Sequence, residues 1–72
     1  MRPVISQGIL WTVYKDGSTA HVEASHIDGV GLEMCYAVNG SPILTKRFDD
    51  GPTLLHEASA LRFELELEGW IL

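Results

Sequence analysis

Residues 61–72 read LRFELELEGWIL, and the reading of this stretch decides how many apolar faces the chain has. Phe63, Leu65 and Leu67 alternate with Glu64, Glu66 and Glu68, the period-two pattern of a half-buried strand. The residues upstream argue for a helix instead. From Leu54 the apolar positions Leu54, Ala58, Leu61 and Leu65 follow helical spacing, and no Gly, Pro or Asn interrupts Thr53 to Glu68. A fifth strand begun near Leu61 needs a turn, and no turn residue is supplied there. Asp49 and Asp50 precede Pro52, which fits a capped helix start with proline in the first turn and carboxylates at the positive end of the dipole. Gly69 then stands one residue past the cap, with Trp70 next to it and placed to pack back onto Leu65. The spacing predicts a helix over 50–68 followed by a cap and tail over 69–72.

A helix advances roughly 100° per residue, so Ala58, Leu61 and Leu65 fall within about 40° of Leu54 and form a core face. Phe63 and Leu67, with His56 and Ala60 nearby, land roughly 180° to 240° round from Leu54. Glu57, Glu64 and Glu68 separate the two faces on one flank, with Arg62 and Glu66 on the other. The strand-like alternation is thus two helical stripes interleaving. The outer stripe of Phe63, Leu67, Ala60 and His56 reads as an interaction face. A competing reading places it against the Ile71-Leu72 tail or an N-terminal arm over 1–8.

Upstream, KDGS (15–18), DGVG (28–31) and NGSP (39–42) are turn signals, since Asp-Gly and Asn-Gly tolerate the positive φ of type I′ hairpin turns. They separate four strands, Ile9–Lys15, Thr19–Ile27, Gly31–Val38 and Ile43–Phe48, the last opened by Pro42 where a missing N–H is tolerated. Ala20, Val22 and Ala24 share one face of the second strand, opposite His21, Glu23 and Ser25. On the third, Leu32, Met34, Tyr36 and Val38 lie opposite Glu33, Cys35 and Ala37. In the first, Ile9, Trp11 and Val13 oppose Leu10, Thr12 and Tyr14, so both faces are partly apolar. Short connections imply a meander, and the fold class is α+β: a four-stranded antiparallel sheet over 9–48 and one C-terminal helix, ββββα.

A chain of 72 residues makes one domain, because at this size only about 60% of the unfolded surface is buried on folding. Extra stabilisation comes from disulfides, metals or association. Cys35 is the only cysteine, which rules out an intrachain disulfide and suits a reducing compartment. Association with a second copy or another protein is therefore the expectation, with a homodimer as its simplest form. Formal charge is −5, from five basic and ten acidic residues, which disfavours a phosphate backbone as partner. No stretch approaches the roughly 18 apolar residues of a membrane-spanning helix, and MRPVISQGIL has no signal-peptide core. A cytoplasmic location without membrane contact is expected.

Residues that carry chemistry are few. His21 and His26 are five apart, point to opposite faces of a regular strand and lack a ligand partner at zinc spacing. Nothing flanking Cys35 resembles an activating motif, and His56-Glu57 does not continue as H-E-x-x-H because position 60 is Ala60. Glu23 and Glu33 face each other across a hairpin at most as a solvated pair. No catalytic residue, metal or cofactor is assigned. The main competing class is single-stranded nucleic-acid binding on the sheet, with Trp11, Tyr14 and Tyr36 to stack bases and Lys46 and Arg47 to meet phosphates. A third class is an adaptor whose acidic flank, Glu57, Glu64 and Glu68, meets a basic partner.

With WTVYKDGSTAHVEA, GVGLEMCY and the ending LRFELELEGW in view, the chain resembles short uncharacterised bacterial proteins. These open with a W-T-(V/I)-(Y/W)-K-(D/N)-G strand and close with a charged helix that stops at Gly-Trp. The resemblance covers most of the chain and implies four strands then a helix, without an activity or site residues. The sequence thus leads to a self-associating or partner-binding module, with Phe63, Leu67, Ala60 and His56 as its contact residues.

Overall fold

A computed structural model describes the backbone of residues 4–72 and the side chains of residues 6–72. Strands β1 (Val4–Lys15), β2 (Ser18–Ile27), β3 (Gly31–Val38) and β4 (Ser41–Phe48) form one antiparallel sheet in the order β1-β2-β3-β4, and helix α1 (Gly51–Leu67) follows. The fold is the ββββα meander. Two of its turns have positive φ at both central residues, 49° and 80° at Asp16 and Gly17, and 51° and 82° at Asn39 and Gly40, as the type I′ geometry requires. The third differs from that expectation. Ile27 pairs with Gly31 across three residues, and the positive φ values fall on Gly29 and Gly31 rather than on Asp28.

The strand β1 begins earlier than the alternation suggested. Residues 4–8, expected as an arm, extend the strand from Val4 opposite Ile27 to Gly8 opposite Ala24, while residues 1–3 lie outside the described chain. Two bulges interrupt it, because the register shifts between Val4 and Ser6 and again between Ile9 and Trp11. The second corrects the expected face assignment. Ile9 pairs with Glu23 but Trp11 pairs with Val22, so the extra residue Leu10 puts Ile9 on the opposite face from Trp11 and Val13. A third shift lies between β3 and β4, where Tyr36 meets Leu44 but Ala37 meets Pro42. Pro42 has no N–H for the ladder, and the bulge at Ile43 falls beside it.

The helix covers one face of this sheet. Trp11, Val13, Ala20, Val22 and Met34 from the strands and Leu54, Ala58 and Leu65 from α1 form the buried cluster, with Leu32, Tyr36, Val38, Phe48, Leu61 and Trp70 packed partly against it. Trp11 also carries a polar atom into the cluster, and its Nε1–H donates to the Ala58 carbonyl oxygen at 3.1 Å. That bond satisfies the indole N–H where water is absent and pins α1 to the first strand. Among the described residues no helix is long and apolar enough to cross a membrane.

The helix ends as the Gly-Trp pair implies. With Glu68 as the cap residue, the N–H of Gly69 donates to the Glu66 carbonyl at 3.1 Å and that of Trp70 to the Leu65 carbonyl at 3.0 Å. This is the Schellman pattern, and Gly69 adopts the positive φ, 100°, that it requires. The tail then returns to the edge of β1, where Tyr14 and Ile71 exchange backbone hydrogen bonds of 2.7 and 3.0 Å.

Three substitutions test this geometry. Leu65 is 6% exposed and Leu67 73% exposed, although a strand would place them on one face. Leu65→Ala is expected to cost about 2–5 kcal/mol in urea unfolding and Leu67→Ala less than about 0.5 kcal/mol; equal losses would contradict the helix. Gly69→Val is expected to lower stability by about 1–2 kcal/mol, because a β-branched residue resists left-handed backbone. An unchanged unfolding midpoint would remove the cap from the account.

Candidate functional site

The helix sorts its side chains as the 100° arithmetic requires. Leu54, Ala58 and Leu65 are buried against the sheet, whereas Phe63 is 62% and Leu67 73% exposed. His56 and Ala60 are exposed as well. These four recur at intervals of four, three and four residues, which sets them along one side of the helix as a narrow seam. Of the two segments that the sequence offered as covers, residues 4–8 are part of β1 and Ile71 pairs with Tyr14 at the sheet edge, while residues 1–3 of the arm lie outside the described chain. Leu55, roughly 100° from Leu54 by the same arithmetic, is also 53% exposed and went unassigned in the sequence reading.

The flanks of the seam differ in their partners. On one side Glu57 meets Lys46 of β4 at 3.6 Å, while Glu64 and Glu68 have no ion pair among the described residues. On the other side Glu66 pairs with Arg62 at 3.4 Å. All these groups are solvated, so each pair contributes less than about 1 kcal/mol.

Both ends of α1 are tied down. At the N-terminus the Asp50 side chain accepts from the Thr53 N–H at 2.8 Å, and extended backbone at Asp50 with Pro52 in the first turn completes the start. The last turn carries no basic residue of its own, and β1 supplies one. Lys15 Nζ donates to the Glu68 carbonyl oxygen at 2.5 Å, placing a cation at the negative end of the helix dipole. The seam therefore sits on a helix capped at its start and bonded to β1 at its middle and end.

The five residues of the nucleic-acid reading are divided between two faces. Trp11 is 8% exposed under α1. Tyr36 packs on the same side, where burial, and then the Glu68 carboxylate, raise its phenol above the ordinary value. Lys46 pairs in register with the buried Met34, and its ammonium lies 5.6 Å from the Phe48 ring centre. Tyr14 and Arg47 lie on the open face, opposite Thr19 and Glu33 respectively, at diagonally opposite corners of the sheet.

The remaining candidates are also dispersed. His21 lies on the open face between Thr12 and Ala37, whereas His26, between Ser6 and Leu32, points to the helix side. Glu23 and Glu33 do not face each other. Glu23 is opposite Cys35 and accepts from Gln7 Nε2 at 3.1 Å, while Glu33 is opposite Ser25 and pairs with Arg47 at 3.6 Å. Among the described residues there is no concave pocket and no group of three or more His, Cys, Asp or Glu placed to hold a metal ion. Compared with protein-family models, with curated proteins and with solved structures, the chain matches none.

The charged cap gives a pH test of the helix that carries the seam. The Asp50 carboxyl is held below its ordinary value, first by the backbone N–H of Thr53 and then by its side chain. Its ionised form therefore contributes stability that is complete above the titration of an unfolded-chain aspartate and is lost as pH falls through the folded-state value. Asn caps without charge. The difference in thermal midpoint between the native chain and Asp50→Asn is expected to narrow as pH is lowered through the acid range. A difference independent of pH would show that the charge is irrelevant to the cap.

Proposed function

We propose that the protein is a small self-associating or protein-binding module whose contact surface is the outer face of α1. The observation that supports this reading is the exposure of Phe63 and Leu67 in line with Ala60 and His56. Isolated apolar side chains on a surface carry little meaning. Four positions at helix-packing spacing, on a helix bonded to β1 at its middle and end, form a surface already shaped for another helix, and binding it costs little reorganisation. Single-stranded nucleic-acid binding on the open sheet face has less support, because Trp11 lies under the helix and the chain carries a net charge of −5.

The test is site-specific crosslinking. A benzophenone side chain is placed at Ala60 on the seam or at Thr45 on the open sheet face and irradiated in the cells that produce the protein. Protein adducts at position 60 and not at 45 are expected. Adducts at 45 alone would move the contact surface to the sheet, and none at either position would remove the binding role.

A further inference from the structure

Resting on that contact surface, we infer that its occupant is a helical segment of another protein, with Lys or Arg flanking an apolar stripe, rather than a second copy of this chain. The seam runs from His56 to Leu67, roughly 17 Å at 1.5 Å per residue, and is about one side chain wide. A partner helix of about three turns matches that length and width. The charge beside it decides which helix.

The positions that border the seam are Glu57 and Glu64 on one side and Ser59 and Glu66 on the other, with Glu68 continuing the first side at the cap. When two copies pack antiparallel, each flank meets itself, so Glu57 and Glu64 of one copy face Glu64 and Glu57 of the other. In the parallel arrangement Ser59 faces Glu64. Within each copy Lys46 of β4 engages Glu57 at 3.6 Å and Arg62, the one Lys or Arg of α1, engages Glu66 at 3.4 Å, so Glu64 is the flanking carboxylate left without a cation among the described residues, and neither orientation places an unpaired cation of the second copy opposite it. Like charges across a helix pair oppose association, and opposite charges select the partner. Glu64 and Glu68 are without an ion pair among the described residues and are the carboxylates most available to it. A basic-flanked helix offers the opposite charge on both flanks.

The test uses two synthetic amphipathic peptides of three heptads, alike except that the positions beside the Leu seam are Lys in one and Glu in the other. Titrated into the native chain and followed by backbone amide shifts, the Lys peptide is expected to bind at least about tenfold more tightly, a difference of about 1.4 kcal/mol. The shifts should centre on Ala60, Phe63 and Leu67, and the affinity should fall as salt rises. Glu64→Lys with Glu66→Lys should reverse the preference. Equal affinity for the two peptides, or binding of neither, would overturn the inference and leave the seam to the crosslinking result. A native dimer by light scattering that Phe63→Glu converts to folded monomer would also overturn it, in favour of a second copy on the same seam. Shifts confined to the open sheet face would overturn both the inference and the contact surface beneath it.

Discussion

One helix has to cover the apolar face of a four-stranded sheet, and most of the structure follows from that constraint. Leu54, Ala58 and Leu65 supply the covering face, and the Trp11 indole N–H reaches the Ala58 carbonyl because a bulky polar-tipped ring under a helix must find an acceptor there. The helix cannot run past the sheet. Gly69 stops it, Trp70 folds back onto the cluster, and Ile71 pairs with the edge of β1. Lys15 then meets the last carbonyl region from the strand beneath. Cap, tail and first strand therefore form one closure that fixes the direction of α1, and with it the direction of everything on the outer face.

Much of this was legible because a few local conformations admit few residues. Gly69 and the Asp16-Gly17 and Asn39-Gly40 pairs supply the positive φ that a left-handed cap and type I′ turns require, and Asp50 before Pro52 supplies a capping side chain and a first-turn proline. The bulges were not legible. Ile9, Leu10 and Trp11 are all apolar, so a change of parity among them leaves no mark on the pattern, and only the pairing with Glu23 and Val22 exposes it. Residues 4–8 escaped for the opposite reason: Ser6, Gln7 and Gly8 interrupt the strand signal between Ile5 and Ile9, while the pairing with β2 holds the segment in the sheet.

The candidate sites show the same division. The outer stripe of α1 was readable because helical angle depends on residue number alone. The nucleic-acid candidates share chemistry but not strand parity. Lys46 and Arg47 are adjacent and so point to opposite faces, while Trp11 and Tyr36 sit in register with core residues. A set of stacking and basic residues becomes a platform only when the register brings it to one face.

Under the proposed function, the acidic residues around the outer seam bear on self-association as well as on recognition. The sheet edges are already modified against pairing: β1 by two bulges and the Ile71 contact, β4 by Pro42, a bulge and the charges of Lys46 and Arg47. An exposed Phe and Leu on a rigid helix would promote indiscriminate association if their border were neutral. Glu64 and Glu68, which have no ion pair among the described residues, raise the cost of like meeting like, and the net charge of −5 adds a weaker repulsion at longer range. Under the inferred choice of ligand, the same carboxylates oppose a second copy and attract a basic partner. Under the proposed function, solubility of the free protein and choice of ligand thus depend on the same few side chains.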